Sequence, residues 1–273
     1  MAYTDLAYAS LSPAQTLDLY LPAGEGPFPL VLIIHGGGFQ EGDKRGSAEM
    51  DRVDPLLQAG YAVASANYRL SGEAIYPAQI HDVKTAVRFL RAHAEEYRLD
   101  ADHFGAWGSS AGGTLSALLG TTCGDAELEG SELGFAEQSS CIQAVVDWFG
   151  LVDLLQMDTQ FAGTGCPTGY SKADSAESRL VGAPLQSVPD LVQKTNPMNY
   201  IDPTDPPFLI QHGSADCRVP PVQSQLLAEA LAAIIGAEKV DYSVLEGAGH
   251  GGAAFKTDAN LQRVLAFLDR YLK

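Results

Sequence analysis

The chain has 273 residues, of which 46% are hydrophobic and 8% aromatic, and this length and composition fit one large domain with a full core. Acidic residues outnumber basic residues by 34 to 17, giving a formal net charge of -17, and so negative a surface repels phosphate backbones and anionic lipid headgroups. We therefore expect no nucleic-acid partner and no membrane association, and no apolar run approaches the roughly 18 residues of a membrane span.

Hydrophobic periodicity predicts strands and helices that follow one another along the chain. Alternating apolar and polar residues at 16–21 predict an edge strand, and the continuous apolar run at 29–34 predicts a strand covered on both faces. Further strands are predicted at 61–67, 104–107, 142–149, 207–211 and 239–245, and helices at 77–98, 222–235 and 258–272. Because the two types alternate, we expect an α/β fold with a mostly parallel sheet and helices on both faces.

The stretch 151–206 interrupts this alternation. It is rich in Gly, Pro, Ser and Asp, and only 176–181 and 188–194 have short helical patterns. An irregular segment of this length inside a domain is typical of a lid or a binding loop, and the alternative is a plain surface insertion. We interpret residues 1–273 as one domain that carries a lid-like insertion at 151–206.

The sequence Gly-Ser-Ser-Ala-Gly at 108–112 matches the G-x-S-x-G pattern of a serine nucleophile. It lies between a predicted strand and an apolar helix that begins at Gly113, which is the context that this pattern requires. The glycines leave room for a sharp turn, and the helix directs its N-terminal amides towards the reacting centre. Ser110 is the predicted nucleophile, because the alternative Ser109 lacks glycine at both required offsets.

A second glycine-rich motif, His-Gly-Gly-Gly at 35–38, follows the buried strand at 29–34. Glycine amides at the end of such a strand can point towards a developing oxyanion, and Ala111, next to the nucleophile, would add a further donor. The alternative is an ordinary glycine turn. We expect His35 to be structural.

The nucleophile needs a histidine base and a carboxylate that orients the base. Asp216 follows the strand at 207–211 and His250 follows the last strand, so both are expected at the carboxyl edge of the sheet, in the order Ser, Asp, His. His212 competes with His250 as the base. Three other aspartates compete with Asp216, namely Asp147, Asp153 and Asp241.

The remaining histidines and the cysteines give weaker signals. His81, His93 and His103 are expected to have packing roles, and Tyr68 and Arg69 are expected to support the pocket without being catalytic. The four cysteines show no metal-binding spacing, so we expect no metal site. Their even number permits two disulfides, although four reduced thiols in a cytosolic enzyme fit equally well.

These motifs resemble the hormone-sensitive-lipase-like branch of the α/β-hydrolases. More specifically, they resemble the bacterial feruloyl and acetyl-xylan esterase family called BD-FAE. The similarity continues through YPAQIHDV at 76–83, VVDWFG at 145–150, SRLVG at 178–182, NP at 196–197 and DPPFLIQHG at 205–213. It therefore spans most of the chain, and it implies the α/β-hydrolase fold with a sheet of the eight-stranded type.

The resemblance implies a carboxylesterase that needs no cofactor and acts on short acyl or hydroxycinnamoyl esters of sugars and plant polysaccharides. It assigns catalysis to Ser110, Asp216 and His250, and the oxyanion hole to Gly37, Gly38 and Ala111. A further hypothesis pairs Cys166 with Cys217, which would tie the insertion to the loop of Asp216, and Cys123 with Cys141. Such disulfides would imply a secreted or periplasmic protein, with a cytoplasmic location as the alternative.

Three other functions fit the same motifs. An aryl-formamidase shares the fold and a similar glycine loop, and a prolyl-oligopeptidase-like peptidase shares the order of the three catalytic residues. A small-molecule receptor on this fold is the non-enzymatic alternative, although such receptors tend to lose the histidine that is present here as His250. Because the negative charge slows the approach of anions, we expect the partner to be a neutral small-molecule or oligosaccharide ester.

Overall fold

The computed structural model describes residues 2–273, and the strands of this part of the chain form one eight-stranded sheet. The strands are β1 (Ala2–Ala7), β2 (Thr16–Tyr20), β3 (Phe28–Ile34), β4 (Ala62–Ala66), β5 (Leu99–Ser109), β6 (Ala144–Trp148), β7 (Phe208–Gly213) and β8 (Val240–Leu245). Their spatial order is β1-β2-β4-β3-β5-β6-β7-β8, and β2 is antiparallel to both of its neighbours. All other pairs are parallel, which confirms the predicted mostly parallel sheet.

Helices cover both faces of this sheet, as predicted. They are α1 (Ser47–Gln58), α2 (Ala78–Ala92), α3 (Ala94–Tyr97), α4 (Ala111–Thr121), α5 (Met157–Phe161), α6 (Ala176–Val181), α7 (Pro189–Gln193), α8 (Val222–Ile235) and α9 (Asp258–Leu272). Alternate residues of β3 point into two separate cores: Leu32 packs with residues of α2, α4 and α8, whereas Ile33 packs with residues of α1 and α9. The apolar side chains of β3 are therefore buried on both sides.

The structure differs from the sequence prediction at several elements, and β5 begins five residues before the predicted strand at 104–107. β1 and α1 were not predicted, because β1 is an edge strand with mostly exposed or half-buried residues and α1 contains Pro55. The helix predicted at 77–98 ends at Ala92, and a short helix follows it as far as Tyr97. Arg98 then adopts a left-handed conformation with φ 56°, which ends the helical segment and lets β5 begin at Leu99.

The segment 151–206 contains only short helices, namely α5 to α7 and the 3-10 turns Leu185–Ser187 and Pro197–Tyr200. Its first residues are anchored by the buried Gln223 of α8, whose Oε1 accepts hydrogen bonds from the amides of Val152 (2.7 Å) and Asp153 (2.6 Å). A disulfide between Cys166 and Cys217 joins the middle of the segment to the loop after β7. The segment is thus held at both places against the carboxyl edge of the sheet.

Candidate active site

Ser110 lies in a strained turn between β5 and α4. Its φ of 56° and ψ of -126° are unfavourable for a residue with a side chain, and the Ser110 amide donates to the Trp148 carbonyl at 2.9 Å. The flanking glycines are required sterically: a Cβ at position 108 would collide with the Gly112 carbonyl oxygen, and one at 112 with the Ile34 carbonyl oxygen. The close packing of strand, turn and helix therefore explains both glycines of the motif.

His250 and Asp216 lie next to this serine. Nε2 of His250 is 2.9 Å from Oγ of Ser110, and Nδ1 of His250 is 2.7 Å from Oδ2 of Asp216. Because Nδ1 faces a carboxylate, it carries the imidazole proton, which leaves Nε2 free to accept the serine hydroxyl proton. The structure thus brings together the three side chains predicted to be catalytic, in the arrangement of a serine–histidine–aspartate triad.

Four donors surround the carboxylate of Asp216. Oδ1 accepts from the amides of Arg218 (2.7 Å) and Val219 (3.0 Å), while Oδ2 lies near Nδ1 of His250 and 3.2 Å from Nε2 of His212. Burial alone would raise the pKa of this carboxyl, but the hydrogen bonds from the two histidines outweigh burial and hold its pKa well below the usual range. Asp216 is therefore ionised wherever His250 acts as a base.

His212 has a role that the sequence analysis missed. It is fully buried, its Nδ1 lies 2.7 Å from Oγ of Ser224, and its Nε2 lies 3.1 Å from the Val219 carbonyl oxygen as well as near Asp216. Since Nε2 faces two acceptors, it carries the proton and donates, and Nδ1 accepts from the Ser224 hydroxyl. His212 contacts the carboxylate rather than the nucleophile, a placement that only the packing of β7 against α8 determines.

The loop after β3 passes directly beside the nucleophile. A Cβ at Gly36 would lie 2.9 Å from the Ser109 carbonyl oxygen, and the φ angles of Gly37 (113°) and Gly38 (59°) are ones that side chains disfavour. Among residues 2–273, the amides of Gly37, Gly38 and Ala111 donate no hydrogen bond. These three amides are therefore free to donate to a ligand, and their role as an oxyanion hole stays a prediction.

The residues expected to support this loop make structural contacts. The His35 ring stacks on Tyr68 with 4.3 Å between centroids, and its Nδ1 is 2.7 Å from the Gly36 carbonyl oxygen. Burial lowers the pKa of His35, so the ring is neutral and Nδ1 donates. Arg69 forms a buried ion pair with Asp82 (2.7 Å), which fixes the loop after β4 to α2.

The alternative candidates do not reach the base. Ser109 ends β5 and pairs with β6, Asp147 is fully buried, Asp153 accepts from the Leu155 amide at 3.0 Å, and Asp241 pairs with Arg263. The other histidines bind local groups: the Glu127 carbonyl oxygen for His81, the Phe89 carbonyl oxygen for His93 and Asp100 for His103. Within the described part of the chain, none of these side chains forms a hydrogen bond or ion pair with the side chain of Ser110 or His250.

The candidate triad opens into a cavity of about 1400 Å³. One wall is the loop after β3 together with α1, and the segment 151–206 contributes Leu151, Tyr170, Ala176 and Glu177 to the other. The hydroxyl of Tyr170 donates to the Arg218 carbonyl at 2.8 Å, close to the Cys166–Cys217 disulfide. A second disulfide joins Cys123 to Cys141, so both hypothesised pairs are present.

Residues 2–273 contain no group of three or more His, Cys, Asp or Glu side chains placed to hold a metal ion. No helix in the same range is long and apolar enough to cross a membrane.

Known proteins resemble the chain in both sequence and fold. Esterase LipC of Mycobacterium tuberculosis is 32% identical over 88% of this chain and 57% of its own length, and the chain spans about half the length of the curated relatives that it matches. A truncated carbohydrate esterase from gut microbiota is 35% identical, with a TM-score of 0.88 over 99% of this chain and 95% of that chain. A bifunctional GH43-CE protein of Bacteroides eggerthii is also 35% identical, with a TM-score of 0.89 over 98% of this chain and 35% of that chain.

A family model adds the assignment that the motifs predicted. The BD-FAE model matches residues 17–231, which include the glycine loop, the nucleophile turn and Asp216. With this match, the eight-stranded sheet and the likeness to solved esterases, the chain belongs to the BD-FAE family of α/β-hydrolases.

Proposed function

We propose that this protein is a serine carboxylesterase whose nucleophile is Ser110. The observation that carries the proposal is the continuous hydrogen-bond chain from Oγ of Ser110 to Nε2 of His250 (2.9 Å) and from Nδ1 of His250 to Oδ2 of Asp216 (2.7 Å). That arrangement moves a proton away from the serine as it attacks a carbonyl carbon. The named esterases among the relatives support the same reaction.

The reaction proceeds in two acyl-transfer steps. His250 takes the proton of Ser110 as Oγ attacks the ester carbonyl, and Asp216 stabilises the resulting imidazolium. The amides of Gly37, Gly38 and Ala111 stabilise the tetrahedral oxyanion, where the loss of one donor typically lowers the rate about 100- to 1000-fold. His250 then protonates the leaving alcohol, and water repeats the sequence on the acyl-enzyme to release the acid.

The substrates that we propose are acetyl or hydroxycinnamoyl esters of plant-polysaccharide sugars such as those of xylan. One solved relative with 35% identity is described as a carbohydrate esterase, and its match covers nearly all of both chains; another, also with 35% identity, is described as a bifunctional GH43-CE protein. A cavity of about 1400 Å³ has room for a sugar unit together with its acyl group. We further propose that the chain is one α/β-hydrolase domain in which 151–206 acts as a lid-like wall over this cavity.

The nucleophile is tested by comparing Ser110→Ala with the matched control Ser109→Ala. We expect Ser110→Ala to remove turnover of p-nitrophenyl acetate, with an unchanged circular dichroism spectrum, and Ser109→Ala to remain active. Activity retained by Ser110→Ala would refute the proposed nucleophile.

The substrate class is tested with the unmodified enzyme. A panel of p-nitrophenyl esters from acetate to decanoate, methyl ferulate, acetylated xylan and formylkynurenine separates the possibilities. Turnover of acetylated xylan or methyl ferulate supports the proposed substrates, whereas faster turnover of formylkynurenine than of every ester would favour a formamidase.

A further inference from the structure

Arg52 is a buried cation with an unusual environment. It lies on α1 and is 4% exposed, and its guanidinium carbon lies 5.1 Å from the centroid of the Trp107 ring and 4.8 Å from that of Trp148. These cation–π contacts stabilise the charge, but they supply no hydrogen-bond acceptor. Nε and Nη1 of Arg52 are both buried without a hydrogen-bond partner.

The other buried cations of residues 2–273 all have a carboxylate close by. The nearest N–O distances are 2.7 Å for Lys44 and Asp5, 2.7 Å for Arg69 and Asp82, 2.7 Å for Lys84 and Glu129, and 3.0 Å for Arg88 and Glu129. No ion pair within 4.0 Å is formed by Arg52 in this part of the chain. Because an unpaired buried charge is costly, Arg52 is the buried cation of this part of the chain that would gain most from pairing with an anionic ligand.

The position of Arg52 connects it with the candidate active site. Arg52 lines the same cavity as Ser110 and His250. Trp107, which its guanidinium contacts, is three residues before the nucleophile. Trp148 precedes Phe149, whose ring centroid lies 4.6 Å from that of His250. Arg52 therefore belongs to the wall that α1 contributes to the cavity.

The guanidinium of Arg52 is protonated, and neither of the neighbouring carboxylates forms an ion pair with it. Burial lowers the pKa of Arg52 to about 10, and Glu49 and Asp51 oppose this decrease, so the group is a cation at neutral pH. Asp51 is engaged with Lys256 at 2.6 Å, and Glu49 lies beyond ion-pair distance. Because Nε and Nη1 are sealed from solvent, a ligand in the cavity would reach the guanidinium through Nη2, whose N–H groups can donate charge-assisted hydrogen bonds to a carboxylate.

We propose that Arg52 forms a carboxylate-binding subsite, so that the enzyme accepts esters that carry a free carboxylate in addition to the ester group. This inference rests on the proposed esterase function and names a further substrate class for the same cavity. The carboxylate has two possible sources, the acyl group of a dicarboxylic half-ester or a uronate in the alcohol part. The contacts with the two Trp rings hold the guanidinium in place, so that little side-chain entropy is lost when the carboxylate binds.

The test compares charged and neutral esters in two arms. The acyl arm uses mono-4-nitrophenyl glutarate and 4-nitrophenyl acetate, and the alcohol arm uses acetylated methyl glucuronoside and acetylated methyl xyloside. In one arm we expect Arg52→Gln to lower the ratio of kcat/KM for the charged over the neutral ester by about ten- to hundredfold, the usual effect of losing a charge-assisted hydrogen bond. The arm that responds identifies the source of the carboxylate.

Two further variants distinguish a specific contact from general electrostatics and from misfolding. Arg52→Lys keeps the positive charge but loses the planar guanidinium, and it should retain part of the wild-type ratio of kcat/KM for the charged over the neutral ester. Lys256→Gln removes an equal charge from the same cavity, and we expect it to leave the ratio within about threefold of the wild-type value. An unchanged ratio for Arg52→Gln in both arms, or an equal loss in Lys256→Gln, would overturn the proposal.

Binding without catalysis separates this subsite from the esterase proposal. In the Ser110→Ala background, glutarate or methyl glucuronoside should raise Tm in a saturable manner, and the added Arg52→Gln change should abolish the rise. If this rise in Tm is observed but the wild-type enzyme hydrolyses no ester, the esterase function is contradicted and the subsite is kept. Equal shifts with and without Arg52 would contradict the subsite alone.

Discussion

Asp147 and Asp216 have the same side chain at the ends of adjacent strands, and their surroundings give them opposite properties. Asp216 receives hydrogen bonds on both oxygens, which lowers its pKa. Asp147 is fully buried beside Gly113, with one hydrogen bond from the Gly150 amide (2.9 Å) and no partner for Oδ2. Burial raises the pKa of Asp147 to about 6.

The raised pKa predicts a pH-dependent stability difference for Asp147→Asn. A carboxyl whose folded pKa exceeds its unfolded value stabilises the fold below the unfolded pKa, and this contribution is lost as pH rises through about 6. Between pH 5 and pH 8 the free energy of unfolding of the wild type should therefore fall by about 1.4 kcal/mol more than that of the Asp147→Asn variant. Urea unfolding followed by tryptophan fluorescence at both pH values measures the difference.

Asp202→Asn is the control for this experiment. Hydrogen bonds from Thr204 lower the pKa of the exposed Asp202 carboxyl, so it titrates below pH 5 and its replacement should give the same stability difference at pH 5 and pH 8. A difference for Asp147→Asn that is constant from pH 5 to pH 8 would contradict a folded pKa near 6 for Asp147.

At the residue scale, sequence analysis found those residues whose roles depend on local backbone geometry. Ser110 and the glycines on either side of it are constrained by a turn that the motif itself describes. His250 follows the last strand of the sheet. The role of His212 depends on how the loop after β7 folds Asp216 back onto it, and that of Arg52 depends on Trp107 and Trp148, which lie far along the chain across a helix–sheet interface. Periodicity and spacing carry no information on such contacts.

At the element scale, the two disulfides have different surroundings. Cys166–Cys217 has a Cα–Cα distance of 5.1 Å and ties the segment 151–206 to the residue after Asp216. The same segment is ordered by Asp158, whose carboxylate accepts from the amides of Tyr170 and Ser171, both at 2.9 Å. Cys123–Cys141 closes a shorter loop beside α4, and neither cysteine lines the cavity.

Removing each disulfide should therefore have a different effect on catalysis. We expect Cys166→Ser/Cys217→Ser to raise KM and lower kcat several-fold, because the wall formed by Tyr170 and the loop of Asp216 both gain freedom. Cys123→Ser/Cys141→Ser should leave both constants near wild type and lower stability by roughly 3 kcal/mol, the loop-closure value for about 18 residues. Steady-state kinetics with p-nitrophenyl acetate and urea unfolding measure the two effects.

The shorter disulfide is the matched control for the longer one. Equal changes in kcat and KM in both double variants would mean that the kinetic effect follows general destabilisation. In that case the tether between 151–206 and the loop of Asp216 would have no particular role in catalysis.

Most of the sheet was predictable at this scale, and the segment 151–206 was predictable as a lid-like insertion but without its path. Strand β3, the second half of β5 and most of β7 are buried and apolar, so composition and length identify them. The path of 151–206 is set instead by Gln223, a disulfide and short caps, which are contacts between distant residues. Its position beside the cavity therefore appeared only in the structure.

At the scale of the whole molecule, net charge acts on substrates before they bind. The formal charge is -17, and five acidic side chains line the cavity against three basic ones: Glu41, Asp43, Glu49, Asp51 and Glu177 against Arg52, Arg218 and Lys256. This field repels anions at long range and attracts cations. A contact with Arg52 acts only after an ester has entered the cavity. Salt screens the long-range field much more than this local contact, so a change in ionic strength separates the two effects.

Ionic strength should therefore change kcat/KM according to the charge of the ester. Raising NaCl from 10 to 150 mM shortens the screening length from about 30 to about 8 Å, which removes most of the long-range field. We expect kcat/KM to rise at least about twofold for mono-4-nitrophenyl glutarate, to stay level for 4-nitrophenyl acetate and to fall for a choline ester. Initial rates at low substrate concentration measure all three, and the neutral ester controls for effects of salt on the fold. Parallel responses of the three esters would show that the acidic surface has no part in substrate capture.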